Sequence, residues 1–202
     1  MEAITFHPYS NNDFQSIITP ESNLFFDMDG TLIETTQLNN FAYKEAFKNV
    51  MGFQLPITNN DRITRQSLQC IPNISKDQID KIVDEKNRLY SNNIYLAQPI
   101  SSTVELLECF YKQNNTYLVT KARIDRANET ISYFGLRDRF KNIISSNAEN
   151  KYSDAISRLG IDPSTVIVFE NEEKQIQASL NAGISINKII KVSYGIIYNS
   201  TQ

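Results

Sequence analysis

Two aspartates one residue apart, Asp27 and Asp29, directly follow the apolar run Leu24-Phe25-Phe26 and are themselves followed by Gly30-Thr31. A short apolar run bounded in this way reads as a buried strand, so both carboxylates emerge at its carboxyl end, the edge where open α/β sheets bind ligands. Two acids in that setting suit metal-assisted phosphoryl transfer, in which one carboxylate attacks phosphorus and the other moves protons. Gly30 permits the sharp turn that follows. Taken alone, the pair is better read as a strand that ends in an ordinary Asp-Gly turn.

Three further groups stand at equivalent places. Thr120 ends the run Tyr117-Leu118-Val119, where its hydroxyl and the neighbouring backbone N–H groups could hold a phosphate oxygen. Lys151 opens the helical segment after Ile143-Ile144, where its ammonium could neutralise charge on a nucleophile and on a transferring group. Glu170 and Asn171 end the run Val166 to Phe169, where side-chain oxygens can bind or orient a hard cation. Each of these residues alone has a bland counterpart in a strand end or a solvated helix start. The order acid pair, threonine, lysine, acid, each at or just past the end of an apolar run, rarely arises by chance.

These runs, with a fifth at Ile189-Ile190-Lys191-Val192, alternate with segments of helical periodicity, which predicts an α/β fold with a parallel sheet. Ser102 with Glu105, and Ser75 with Gln78, have capping-box spacing, and Gly135, Gly160 and Gly183 each suit the end of a helix. The interval Glu34 to Gln98 breaks the rhythm. It holds no strand run but has helical stretches around Leu38, Phe41, Ala42 and Phe47 and around Ile79, Ile82 and Val83, with turns at Pro56 and Pro72. An unstructured loop of that length is improbable in a compact domain, so this interval reads as a helical insert between the first two core strands.

Composition sets the outer limits. With 202 residues, 41% of them hydrophobic, the chain can form one solid core and a small inserted unit. A net charge of -3 provides no general basic surface, which argues against a nucleic-acid partner. Cys70 and Cys109 lack metal-ligand spacing and are expected to be free, buried packing residues in a reducing compartment. The polar segment Met1 to Asn23, which carries the only histidine, His7, has no secretory pattern, and no apolar run approaches a membrane span. A cytoplasmic protein without a membrane partner is expected.

From about Leu24 to Gly195 the chain resembles the haloacid dehalogenase superfamily, and within it the beta-phosphoglucomutase and phosphoglycolate phosphatase-like group. Asp27-Met28-Asp29-Gly30-Thr31-Leu32 is similar to the family's first motif, Val119-Thr120 to the second, Lys151 to the third and Phe169-Glu170-Asn171 to the fourth. The resemblance implies a Rossmann-like core over 1–34 and 99–202, with 1–23 as an amino-terminal extension, and an all-helical cap over 35–98. It further implies Mg2+ and a small phosphorylated metabolite as substrate. In that scheme Asp27 is the nucleophile and a metal ligand. Asp29 is the acid and base, with its backbone carbonyl on the metal. Thr120 and Lys151 hold the phosphoryl oxygens, and Glu170 and Asn171 complete the metal site.

The second aspartate disfavours dehalogenation, because the family's dehalogenases lack a carboxylate there. The similar mutases carry a histidine where this chain has Asn39, which places a phosphatase ahead of a sugar phosphomutase; a catalytically impaired member acting as a binding protein is the other alternative. A Schiff-base role has only Lys44 and Lys48 to draw on in the first half of the insert. The chain departs from the family pattern at Asn171, where an aspartate is usual, at Tyr152 in place of a proline, and at Lys121 and Arg123, which read as a solvated helix start. In the insert, Arg65 and then Arg62 are the candidates for reading the nonreacting part of the substrate.

Overall fold

The structure, a computed structural model, describes residues 17–57, 62–193 and 196–199, with the backbone alone at 193 and 196–199. His7 and residues 1–16 of the amino-terminal extension lie outside the described residues. The strands are β1 (Asn23–Phe26), β2 (Ile33–Glu34), β3 (Gln98–Pro99), β4 (Asn115–Thr120), β5 (Asn142–Ser145), β6 (Val166–Glu170), β7 (Ile189–Ser193) and β8 (Ile196–Asn199). The α-helices are α1 (Thr36–Met51), α2 (Arg65–Gln69), α3 (Lys76–Asn92), α4 (Ser101–Phe110), α5 (Ile124–Tyr133), α6 (Lys151–Leu159) and α7 (Glu173–Asn181).

Six strands form one sheet in the order β5-β4-β1-β6-β7-β8. The five strands expected from the apolar runs pair in parallel, as an α/β fold requires. The sixth, β8, runs antiparallel to β7 and was not anticipated. Every residue of β1 and β6 is buried, because helices cover both faces, and this is why these strands read as unbroken apolar runs. On one face Phe25, Val119, Ile144 and Val168 pack with Tyr152 and Ala155 of α6 and Ile176 of α7. On the other, Phe26 stacks on Phe169 with ring centroids 4.4 Å apart, and Phe140 meets Phe26 edge-on at 6.1 Å.

The chain forms two compact units, Met1–Ile33 with Pro99–Gln202, and Glu34–Gln98. The second unit packs α1 and α3 around Tyr43, Ala46, Phe47, Ile79 and Ile82, with Leu68 from α2. Its α3 begins with the expected capping box: the Gln78 backbone N–H donates to Ser75 Oγ at 3.2 Å, and the Ser75 N–H donates to Gln78 Oε1 at 2.8 Å. The box expected at Ser102 and Glu105 does not form. Here α4 starts at Ser101 with Ile100 as its cap, so Ser102 already lies within the first turn. Neither Cys70 nor Cys109 is in a disulfide, and both are exposed, a correction to the expected burial: Cys70 follows the last turn of α2, and Cys109 lies on the outer side of α4.

Asn114 links the entry to the sheet with the strand beside it. Its buried side-chain amide donates to the carbonyls of Thr19 at 2.6 Å and Ser22 at 3.2 Å, holding the segment that leads into β1 against the start of β4. Asn114→Ala strands both carbonyls and is expected to cost about 1–3 kcal/mol. A chemical denaturation midpoint equal to that of the wild type would refute this role.

Candidate active site

One hydrogen bond beyond β1 positions the first acid. The Asp27 N–H donates to the Phe169 carbonyl at 3.1 Å, which extends the parallel ladder and sets Asp27 beside the end of β6. After β1 the chain builds β4 and β5 on one side of it, then crosses to build β6 and β7 on the other. Asp27 therefore stands where the winding reverses, the place at which such sheets open a crevice. The turn after it is tight: Met28 O accepts from the N–H groups of Leu32 and Ile33, and the Gly30 N–H donates to Ile33 O at 2.8 Å. Gly30 has φ of 80°, and a Cβ on it would lie 2.4 Å from the side-chain amide of Asn171. Glycine is required here both for the turn and for the approach of Asn171.

Lys151 is the first residue of α6, whose amino end is capped by Asn150 Oδ1 accepting from the N–H groups of Tyr152 at 3.0 Å and Ser153 at 3.2 Å. With a side chain only 2% exposed, Lys151 donates from Nζ to Asp27 Oδ1 at 2.5 Å and to Glu170 Oε2 at 2.8 Å. The Tyr152 hydroxyl donates to the same Glu170 oxygen at 2.6 Å. The other oxygen, Oε1, accepts from the backbone N–H groups of Asn171 at 2.8 Å and Glu172 at 3.0 Å. Four donors from the chain itself thus surround Glu170. This geometry makes Glu170 the anchor that orients Lys151. Tyr152, conspicuous in the sequence only as a departure, is the second hand on that anchor.

Charge in this cluster does not balance. One ammonium faces two carboxylates, and burial together with Glu170 pushes the Asp27 carboxyl up to about 8 despite the opposing pull of Lys151. Burial would depress the Lys151 ammonium, but Asp27 and Glu170 outweigh it and hold the group charged. Burial and Glu170 raise the Tyr152 phenol well above its ordinary range, so it remains a donor.

Asp29 is held by a residue that the sequence reading passed over. Arg126, in the first turn of α5, donates from Nη2 to Asp29 Oδ2 at 2.6 Å. Its position at the start of the helix after β4, on the same edge of the sheet as Thr120, was the available signal. Thr120 is buried at that edge, and its Oγ1 accepts from the Ala122 N–H at 3.0 Å, which fixes the hydroxyl.

A divalent cation finds a limited set of hard donors. Among the described residues no group of three His, Cys, Asp or Glu side chains could hold a metal. Two residues after Asp27, the Asp29 backbone carbonyl meets the Asn171 amide, whose inner atom lies 3.2 Å from Asp29 O and 3.0 Å from Glu170 Oε1. One carboxylate and two neutral oxygens, next to a cluster with surplus negative charge, fit a hard cation with few charged ligands.

The other candidates separate clearly. Lys121 donates to the carbonyls of Ala148 and Glu149, the latter at 3.0 Å, so it holds the loop before α6 and is not simply solvated. Arg123 pairs with Asp125 on the surface, as a solvated helix start should. In the helical unit Arg65 pairs with exposed Asp80, whereas Arg62 Nη1 donates to Thr35 Oγ1 at 2.9 Å. Asn39 is buried and donates to Ile63 O at 2.7 Å, and Lys44 and Lys48 lie exposed on α1.

A parallel sheet with these groups at its carboxyl edge defines a hydrolytic enzyme on a Rossmann-like α/β core. The chain belongs to the haloacid dehalogenase-like hydrolase family, whose model matches residues 24–189. It is 22% identical over 175 residues to the fructose-1-phosphate phosphatase YqaB of Escherichia coli (strain K12), covering 81% of this chain and 93% of that protein. A haloacid dehalogenase-like family hydrolase from Streptococcus pneumoniae superposes with a TM-score of 0.72 at 21% identity, covering 88% of this chain and 87% of the other. A family IA, variant 3 hydrolase from Entamoeba histolytica gives 0.67 at 25% identity, covering 81% of each chain. Among the described residues no helix is long and apolar enough to cross a membrane.

The raised Asp27 carboxyl links stability to pH. Folding lifts it from 3.8 to about 8, so the folded state keeps this proton longer than the unfolded state. Its stabilising contribution is complete below the lower value and is lost as pH rises through the upper one. Asp27→Asn leaves Lys151 paired with Glu170 and removes this loss. In chelator at pH 8 the variant is expected to melt at least about 2–4 °C above the wild type, an advantage that fades at pH 5. Parallel melting curves at the two pH values would exclude the burial effect.

Proposed function

We propose that the chain is a magnesium-dependent phosphatase that hydrolyses a small phosphomonoester through an aspartyl-phosphate on Asp27. The observation that carries this reading is the buried Asp27 carboxylate held at the winding reversal by Lys151, with Asp29 oriented by Arg126 two residues on. Asp27 attacks phosphorus, the bond from phosphorus to the leaving oxygen breaks, and Asp29 gives that oxygen a proton. Asp29 then takes a proton from the water that attacks the aspartyl-phosphate, which releases inorganic phosphate and restores both carboxyl groups. Lys151 and the Thr120 hydroxyl hold the transferring oxygens where negative charge accumulates.

Magnesium, held by Asp27, the Asp29 carbonyl and the Asn171 amide oxygen, would supply the positive charge that a phosphate dianion needs beside a cluster already in anionic excess. The helical unit 35–98 is read as a cap that excludes water during attack. The fold and family of the relatives support the hydrolytic reading, and the fructose-1-phosphate phosphatase among them makes a sugar phosphate a sensible first substrate. The mutase alternative loses support at Asn39, whose amide is committed to the Ile63 carbonyl.

Phosphate release from a panel of phosphomonoesters, with magnesium present or chelated, tests the proposal. Release is expected only with magnesium, and Asp27→Asn should lower it by roughly 10³-fold or more. Magnesium-dependent release that survives in this variant would exclude Asp27 as nucleophile, and conversion of a sugar phosphate into its isomer without phosphate release would favour the mutase. For substrate selection, Arg62→Ala is expected to raise KM with kcat retained. Arg65→Ala, which breaks an exposed pair of small worth, should leave both within about twofold. The reverse ranking in steady-state kinetics would restore Arg65 as the reader.

A further inference from the structure

The Asn171 amide can take two orientations, and the three oxygens around its inner atom distinguish them. Glu170 Oε1 lies 3.0 Å away, Thr31 Oγ1 3.1 Å and Asp29 O 3.2 Å. With Oδ1 innermost, the amide oxygen confronts a carboxylate and a carbonyl, and only the Thr31 hydroxyl can donate to it. With the NH2 innermost, all three oxygens become acceptors for its two protons. Gly30 lets the amide lie this close, since a Cβ there would strike it. The two orientations answer different needs: an inward oxygen requires a cation among the oxygens, and an inward NH2 replaces one.

We infer that Asn171 is an internal latch for the metal-free site: its NH2 ties the loop after β1, through Asp29 O and Thr31, to Glu170 at the end of β6, and a divalent cation binds only by turning the amide over. This rests on the proposed cation site, and it makes that site self-satisfied without metal. Binding must break the latch before the amide oxygen is available, so affinity is low by construction. A carboxylate at the same position has no proton to donate at neutral pH. It would leave oxygens opposed in the metal-free state and add a charged ligand in the loaded one.

Melting temperatures of the wild type, Asn171→Asp and Asn171→Ala, each in EDTA and across a magnesium chloride titration at neutral pH, test the latch. The wild type should be the most stable of the three in EDTA and gain little from magnesium. Asn171→Asp is expected to melt several degrees lower in EDTA and to recover with magnesium, at an apparent affinity at least about tenfold tighter than that of the wild type. Asn171→Ala should melt lower in EDTA and show no recovery. Should the aspartate variant fail to fold, the alanine variant still decides, since a melting temperature in EDTA equal to the wild type would overturn the latch. Equal magnesium affinity in the wild type and Asn171→Asp would overturn it as well. Because none of these readings requires turnover, absence of phosphate release with the expected melting pattern would refute the phosphatase and leave the latch standing. Turnover with a flat pattern would do the reverse.

Discussion

An ammonium group buried beside two carboxylates is the constraint around which the rest of this site is arranged. Lys151 stays charged out of water facing both Asp27 and Glu170, and of the two Glu170 is the partner whose removal would strand the ammonium. Three separate elements must therefore arrive together: the end of β1, the start of α6 and the end of β6. The parallel ladder between β1 and β6 fixes two of them, and the Asn150 cap fixes the third by setting where α6 begins. The stacking of Phe26 on Phe169, one residue before each acid, connects the apolar core directly to the spacing of the charged groups.

Within this cluster Glu170 holds Lys151 in place. Its carboxylate receives two backbone N–H groups, a phenol and an ammonium. It gives Lys151 a fixed position. Asn171, where the family resemblance leads one to expect an aspartate, follows Glu170 directly. On the proposed reading a neutral amide there offers a cation one charged group fewer than a carboxylate would.

The five parallel strands were legible in the sequence because burial on both faces leaves uninterrupted apolar runs, and the strand ends were legible because polar residues can only emerge there. The positions of Asp27, Thr120 and Glu170 at strand ends, and of Lys151 at the start of the helix after β5, follow from that pattern. What escaped detection depends on contacts between distant segments. Arg126 carries no mark in the sequence that sets it apart from Arg123, yet it reaches Asp29 97 positions earlier while Arg123 reaches only Asp125. Tyr152 could be seen to be unusual, but its service to Glu170 follows from the packing of α6 on the sheet. The Ser102 and Glu105 spacing misled because a capping box is a local pattern, and the start of α4 is set elsewhere, by the bond from the Ile100 N–H to Leu32 O that returns the chain to the core.

The same division between local pattern and distant contact applies to the proposed chemistry. A nucleophile must lose its proton to attack, yet burial favours keeping that proton, and Lys151 alone does not reverse the preference. The group that tips this balance must be cationic and must arrive with the substrate or just before it. A protein that kept such a cation permanently would need more carboxylates around it, at the expense of further buried repulsion. With a neutral amide at position 171 the resting site avoids that repulsion, and activation of Asp27 becomes conditional on what enters the crevice. On the proposed reading the amide at position 171 governs the hydrogen bonding of the metal-free site, and the entering cation governs the reactivity of Asp27.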